Sequence, residues 1–252
     1  MASASAPTIR CAAATSRSRS VRPSSWIRKR RSCVSDAVTT SASAPRSAGT
    51  PRSAWAPRSA WAGFAQAGRH GRPQGEAGVH LTLREGVGLA TVIAADGQEA
   101  SLGRILTDRL GWSLPEIGAA HLVGEQGLIW SGPGQWLAIA ETRAGLHGLA
   151  QALHGVAAVT DQSDARALVR VSGPDARRAL SKGVAIDLHP RAFRAGQVAI
   201  TAIAHVGAQI WQRDEAPSYD LAVARSFAGS VWTWLSHACA EFGCAVNREP
   251  ER

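Results

Sequence analysis

The chain has 252 residues, a formal charge of +9, 45% hydrophobic residues and four cysteines. Its length allows one or two domains, and no apolar run approaches the ~20 residues of a transmembrane helix, which excludes helical membrane proteins. Residues 1–78 carry thirteen Arg or Lys and two acidic residues, whereas the rest of the chain carries 15 and 17. A basic face for nucleic acid is therefore not expected on the folded part.

Residues 1–78 form an Ala-, Ser-, Arg- and Pro-rich extension with a tandem repeat, PRSAGT-PRSAWA-PRSAWAG, over residues 45–63. Because large aliphatic side chains are scarce, burial would not offset an ordering entropy of roughly 1–2 kcal/mol per residue, and disorder is predicted. Three interpretations stay open: contact of the basic run 28–31 with nucleic acid or lipid, a transit peptide, or an upstream sequence that precedes a true start near Val79.

Residues 79–165 have the periodicity of a small sheet covered by two helices. The predicted elements are strand 87–94, helix 98–110, strands 121–123, 128–131 and 135–140, helix 145–154 and strand 156–161. Within them, the stretch SGPGQWLAIA has a Gly-Pro-Gly turn like that of a phosphate loop, but a phosphate loop leads into a helix. The residues after this turn have no helical period, so a β-hairpin is predicted. The β-α-β-β-α-β order predicts a ferredoxin-like unit.

Residues 166–246 are predicted to form a second small α+β unit, followed by a tail at 247–252. The predicted elements are strand 167–171, a short helix that opens at Pro174 and ends at Gly183, strands 197–205 and 208–213 around a Val206-Gly207 turn, strand 219–225 and a last helix. The apolar stripe of that helix consists of Phe227, Val231, Trp234, Leu235, Ala238 and Phe242. Trp232 lies roughly 110° from the stripe, so its indole either folds back over the helix or forms a subunit interface.

Residues that could carry chemistry are sparse. The sequence lacks HExxH, GxSxG, GxxxxGK[ST] and a GxGxxG after a strand, and no catalytic, cofactor or metal residue is assigned. Asp161, Asp164 and Asp187 are weak candidates for a polar pocket, although the first two are more typical of turn residues. Cys239 and Cys244 are predicted to diverge by about 140° on the last helix and to be free, buried thiols in the cytoplasm.

Three long stretches, in this order and spacing, give the chain a recognisable pattern. They read GPGQWLAIA, SDARALVRVSGPDARRALSKGVAIDLHPRAF and APSYDLAVARSFAGSVWTWLSHACAEFG. The pattern resembles the gamma subunit family of heterotetrameric sarcosine oxidase over roughly residues 80–245. The resemblance implies a complex of alpha, beta, gamma and delta subunits that oxidatively demethylates sarcosine with flavin and oxygen and passes the one-carbon unit to tetrahydrofolate.

In that family the FAD, FMN, NAD, tetrahydrofolate and zinc belong to partner subunits, and gamma is an accessory chain packed against alpha, with no membrane or nucleic-acid partner. The resemblance also implies a fold related to folate-binding aminomethyltransferases. Those enzymes place carboxylates after paired glycines in a hairpin that corresponds to residues 205–212 here. Ala208 replaces one glycine, and Trp211 and Gln212 stand where carboxylates are expected, so a scaffold without folate chemistry is predicted. The alternative is a free-standing folate or one-carbon-binding module.

Overall fold

Residues 58–72 and 74–249, which the computed structural model describes, form two β-sheets with helices against them. The predicted α+β class is confirmed. The strands are β1 (Gly68–His70), β2 (Val79–Arg84), β3 (Gly88–Ala94), β4 (Ala120–Val123), β5 (Gln126–Gly132), β6 (Gln135–Ala140), β7 (Ala157–Asp161), β8 (Arg166–Ser172), β9 (Val198–Ile203), β10 (Val206–Asp214), β11 (Ser218–Ala224) and β12 (Cys244–Arg248). The α-helices are α1 (Glu99–Leu110), α2 (Leu149–Ala152), α3 (Ala176–Leu180) and α4 (Ala228–Ala240).

The larger sheet has seven strands in the order β1-β12-β2-β8-β11-β10-β9. Strands β12 and β2 pair in parallel, and the other neighbours pair antiparallel. One face of the sheet is apolar because buried residues alternate along the strands, as Val79, Leu81 and Leu83 do in β2. Helices α3 and α4 cover that face, with Leu180 and Leu235 in the same buried cluster.

The smaller sheet has five antiparallel strands in the order β4-β5-β6-β3-β7. Val92 and Trp136 project from one face and pack against Leu102 and Leu106 of α1 and Leu149 of α2. Strands β5 and β6 are joined by the Gly-Pro-Gly turn, so the predicted hairpin is confirmed. Its first and last glycines have φ of 151° and 63°, values that favour glycine over other residues.

The two sheets pack face to face through a third apolar cluster. Leu89, Leu137 and Ile139 of the smaller sheet meet Leu168 and Trp211 of the larger sheet there. Neighbouring residues on β8 and on β3 therefore point to opposite layers, since strand side chains alternate. The layers run helices, larger sheet, smaller sheet, helices. None of the helices in the described ranges is long and apolar enough to cross a membrane.

Several element boundaries differ from the predictions. The predicted helix 145–154 is a 3-10 turn at Arg143–Leu146 followed by α2, because Gly148 adopts φ 79° between them. The predicted turn at Val206-Gly207 lies two residues earlier, where Ala204 and His205 have φ of 46° and 70°. The predicted turn position relies on Gly207 as a turn residue, but Gly207 lies within β10.

The predicted domain boundaries also change in the structure. Strand β2 was assigned to the 79–165 unit, but it pairs with β8 and β12 in the larger sheet. The predicted tail at 247–252 overlaps β12, which pairs with β1 and β2. Both strands have partners that are distant in sequence, so local periodicity gave no information on their pairing.

The end of the predicted disordered extension is folded. Trp61 is 1% exposed and belongs to the core of the larger sheet, and its indole N–H donates a hydrogen bond to the Leu168 carbonyl at 3.2 Å. Strand β1 adds an edge strand to the same sheet. Residues 58–72 thus depart from the expectation of disorder, whereas residues 1–57, with the basic run 28–31, lie outside the described residues.

Candidate functional site

The Asp161–Asp164 cluster forms the connection from β7 to β8, where the chain passes from the smaller sheet to the larger one. Asp161 Oδ1 accepts a hydrogen bond from the backbone N–H of Ser163 at 2.8 Å. Ser163 Oγ in turn accepts the Leu89 N–H at 3.0 Å, which ties the turn to β3. These side chains hold a sheet-to-sheet connection in place, as the turn interpretation predicted.

Both aspartates of this turn are held in the ionised form. Hydrogen bonds from Ser163, the backbone N–H first, lower the pKa of Asp161. Asp164 accepts two hydrogen bonds from Arg143, at 2.7 and 2.5 Å, which lower its pKa below the usual range. A carboxylate fixed in this way accepts hydrogen bonds and has no proton to donate near neutral pH, so neither group suits general acid catalysis.

Asp187 is not part of the same site. It lies in the connection between α3 and β9, where its Oδ1 accepts the His189 N–H at 2.8 Å in an exposed turn. The structure therefore brings Asp161 and Asp164 together and leaves Asp187 in a separate loop. Within residues 58–72 and 74–249, no group of three or more His, Cys, Asp or Glu side chains is placed to hold a metal ion.

The hairpin at residues 205–212 contributes to the interior between the sheets. Trp211 is fully buried in the inter-sheet cluster. Gln209 is 4% exposed and donates hydrogen bonds to the Trp130 carbonyl at 2.7 Å and to Ser131 Oγ at 3.0 Å, which joins β10 to β5. Gln212 is 1% exposed and donates to the Asp214 carbonyl at 2.7 Å. Gln209 and Trp211 therefore join the two sheets, whereas Gln212 bonds within β10.

Trp232 is not exposed on the outer face of α4. It is 8% exposed and packs edge-to-face on Trp61, with ring centroids 6.3 Å apart. The predicted stripe is rotated accordingly: Trp234 is half-buried, and Phe227, placed in the core by the sequence, is 50% exposed. The sequence missed this because Trp61 was assigned to a disordered segment.

A small cavity lies beside the connections that carry the chain between the sheets, and sequence reasoning did not find it. It measures about 40 Å³ and is bounded by residues of the β2–β3 connection, the β7–β8 connection and the segment before β1. Its charged lining residues are Arg58, Arg84, Glu85, Arg143, Arg166 and Arg225. They come from five separate parts of the chain, so no local sequence spacing could have predicted that they line one cavity.

Most of these arginines have partners within the chain. Arg143 pairs with Asp164, which also feels the charge of Arg225, and Arg225 donates a hydrogen bond to the Arg58 carbonyl. Arg84 pairs with Glu249 at 2.5 Å and with Glu125 at 2.8 Å. Five arginines against one glutamate in the lining leave the cavity with an excess of positive charge.

The family model and the curated relatives that match this chain all describe the same subunit. The family model described as "Sarcosine oxidase, gamma subunit family" matches residues 92–241. A sarcosine oxidase subunit gamma from Arthrobacter sp. is 34% identical over 174 residues, which are 67% of this chain and 85% of that protein. Its counterpart from Corynebacterium sp. (strain P-1) is 33% identical with the same coverage.

A solved structure shows the same likeness. A chain of the heterotetrameric sarcosine oxidase from Corynebacterium sp. U-96, in complex with pyrrole 2-carboxylate, aligns with a TM-score of 0.60 and 29% sequence identity. The alignment covers 67% of this chain and 87% of that chain.

Proposed function

This chain belongs to the sarcosine oxidase gamma subunit family, and we propose that it is the accessory gamma subunit of a heterotetrameric sarcosine oxidase. The observation that carries the proposal is the 34% identity to a curated gamma subunit over 85% of that subunit's length. The structural match to a heterotetrameric sarcosine oxidase supports the same assignment.

In the proposed complex, alpha, beta and delta subunits hold FAD, FMN, NAD, tetrahydrofolate and zinc, and alpha contacts this chain directly. The complex oxidises sarcosine with flavin and oxygen and transfers the one-carbon unit to tetrahydrofolate. This chain contributes no catalytic group. Support for that role comes from the 205–212 hairpin, whose Gln209 and Trp211 side chains are buried in contacts that join the sheets, and whose Gln212 side chain is buried against its own strand.

The proposed architecture follows the strand pairing. Residues 88–161 form a ferredoxin-like unit, since β3, α1, β5, β6, α2 and β7 follow one another in the expected order and pair antiparallel as β5-β6-β3-β7. The strands of the larger sheet, β1, β2 and β8 to β12, form the second unit. The chain enters this unit twice. This arrangement places residues 79–84 in the second unit.

The surface proposed to meet alpha lies at the open end of the inter-sheet core. There, a cavity of about 170 Å³ is lined by Gln135, Ile200 and Gln209 among others. Ile200 is 55% exposed, and Ile93, paired directly with Gln135 across β3 and β6, is 46% exposed. Two large aliphatic side chains left in water beside a concave surface are typical of a site that a partner covers.

Co-expression with the three candidate partner subunits tests the proposed function. Affinity capture of tagged full-length chain, followed by size-exclusion chromatography, should yield a single flavin-coloured complex. Elution of a folded chain free of the other three subunits would contradict the proposal.

The free-standing folate module would gain support only if the isolated chain bound tetrahydrofolate in calorimetry and Asp164→Asn abolished that binding. The 40 Å³ cavity near Asp164 is too small for a folate, whose pocket needs at least about 300 Å³.

A further inference from the structure

Arg166 has a partly buried charge that no acidic residue in the described ranges neutralises. It begins β8, where its Cα is paired with Ala224 of β11, so its backbone is fixed by the larger sheet. Its Nε atom is buried without a hydrogen-bond partner, and its guanidinium forms no ion pair with any described residue. Burial lowers the pKa of this arginine, as expected for a cation removed from water without a counter-charge.

The surroundings of Arg166 favour an anion. Arg166 lines the 40 Å³ cavity together with Arg58, Arg143 and Arg225, and Glu85 is the acidic residue of the lining. Glu85 already accepts a hydrogen bond from Ser59 and lies 3.8 Å from Arg248, which leaves Arg166 without it. Several guanidinium groups that converge on a partly enclosed space attract anions, because the low local dielectric strengthens the interaction.

The size of the cavity limits the class of ligand. About 40 Å³ has room for roughly two to three water molecules or one small oxyanion. A guanidinium presents parallel N–H donors that match two oxygens of a phosphate or sulfate, whereas a halide offers a single acceptor centre. A nucleotide or folate would not fit.

We propose that this cavity is a binding site for a small tetrahedral oxyanion of the phosphate class, with Arg166 as its principal cation. The bound anion neutralises the buried guanidinium. It also links the start of β8 to the segment at residues 58–61 and to Arg143, all of which line the cavity. The site stabilises the fold around the two inter-sheet connections.

Thermal unfolding of the full-length chain in inorganic phosphate, at constant pH and ionic strength with chloride as the balancing anion, tests the site. Ligand linkage predicts a saturable rise in Tm of about 3–5 °C at roughly ten times the Kd. Sulfate should give a similar rise and acetate a smaller one. An equal or larger rise in acetate would overturn the assignment to a tetrahedral oxyanion in favour of a carboxylate.

Arg166→Gln is the decisive variant, and Arg104→Gln, at an exposed arginine of α1, is its matched control. In chloride, R166Q should unfold at the same temperature as the parent chain or higher, because it removes an unpaired buried charge. Its phosphate-dependent rise should disappear, while R104Q keeps the full rise. Calorimetric titration with phosphate should show at least a tenfold loss of affinity in R166Q. A rise that survives in R166Q would overturn the proposal, since phosphate would then bind elsewhere.

An unstable R166Q would not block the test. Arg166→Lys keeps the charge but loses the planar pair of donors, so its phosphate affinity should fall between those of the parent chain and R166Q. Parent-like affinity in the lysine variant, or no saturable phosphate effect in the parent chain, would contradict the proposed site.

Discussion

The contact between Trp61 and Trp232 closes the larger sheet's core on the side of α4. Trp61 also stacks edge-to-face on Phe64, with centroids 6.4 Å apart, so a short aromatic cluster covers the helix. An interface role for Trp232 would require displacement of this cover, which is why the proposed partner surface lies elsewhere. Trp232 thus serves the fold of the chain.

We predict that Trp232→Ser destabilises the isolated chain, because the indole packs within the chain. Loss of a buried indole should lower the free energy of unfolding by about 3 kcal/mol. Phe227→Ser, at the exposed end of the same helix, is the control and should change it by less than about 1 kcal/mol. Urea denaturation of both variants measures the difference, and a parent-like midpoint for W232S would refute the packing role.

The two cysteines of the folded region are neighbours in space. The sequence placed both on one helix, where they would diverge, but Cys244 begins β12 after the chain reverses at Gly243. The Cys239 thiol donates a hydrogen bond to Cys244, and this bond together with burial raises the pKa of Cys239. Both are free thiols with 0% and 1% exposure, so the expectation of buried, unbridged cysteines is confirmed.

Cys239 and Cys244 should therefore resist alkylation in the native protein at mildly alkaline pH. Burial excludes the reagent from both thiols. The raised pKa also keeps Cys239 protonated, whereas the hydrogen bond from Cys239 lowers the pKa of Cys244, so Cys244 is protected by burial alone. Peptide mass spectrometry after iodoacetamide treatment should find both residues unmodified in buffer and modified in urea. Rapid labelling of Cys239 in the folded chain would show that this end of α4 is open.

At the scale of elements, a group of charged side chains connects the sheets. Glu125, in the β4–β5 turn of the smaller sheet, forms ion pairs with Arg84 of β2 at 2.8 Å, Arg170 of β8 at 2.8 Å and Arg213 of β10 at 3.1 Å. Asp220 of β11, fully buried, pairs with Arg170 at 2.7 Å. Burial alone would raise the pKa of Glu125, but these arginines outweigh it and hold the pKa below its ordinary value.

Glu125→Gln should destabilise the chain in a pH-dependent way. Because the folded pKa lies below the unfolded value of about 4.5, the stabilisation is complete above that value and is lost as pH falls through the folded pKa. Near neutral pH the variant should lose about 2–3 kcal/mol, because Arg84, Arg170 and Arg213 each lose a carboxylate partner. The difference from the parent chain should shrink in acid.

Denaturation curves at several pH values measure this effect, with the exposed Glu116→Gln as control. A difference that stays constant from neutral to acid pH would show that Glu125 contributes through its shape and not its charge.

Elements with a clear local pattern could be predicted from the sequence, whereas their partners could not. Helix α1 and the Gly-Pro-Gly hairpin are set by residues within about a dozen positions, and both appear as expected. The pairing of β2 with β12 depends on residues more than 160 positions apart, for which periodicity carries no signal. The β9–β10 turn misled the prediction because Ala204 and His205 adopt positive φ without glycine.

On the scale of the whole molecule, the sequence indicated the family but not the sites. The long motifs that resemble gamma subunits begin within the matched range, residues 92–241, and the last of them ends at Gly243. The arginine cavity assembles from five distant segments, and the cover over Trp232 comes from a segment assigned to disorder. Such features can be identified only from the tertiary structure, because neither composition nor sequence spacing shows which loops and segments contact one another.

The proposed partner surface leads to an assembly prediction. Ile200→Asp should weaken binding of this chain to the other subunits by at least about tenfold, since a charge would enter an apolar contact. The unfolding midpoint of the isolated chain should stay close to that of the parent, because Ile200 is 55% exposed. Leu110→Asp, at the end of α1 beyond the smaller sheet, is the control and should leave binding intact. Undiminished binding by I200D would exclude this surface.

The proposed function makes this chain one subunit of a flavin-containing heterotetramer. Native mass spectrometry of the complex purified after co-expression tests it most directly, because the intact mass reports stoichiometry. We predict a mass equal to one copy each of the alpha, beta, gamma and delta chains plus their cofactors, with sarcosine-dependent oxygen uptake in the same sample. A sarcosine-oxidising complex whose mass excludes this chain, with the chain recovered alone, would contradict its assignment as a subunit.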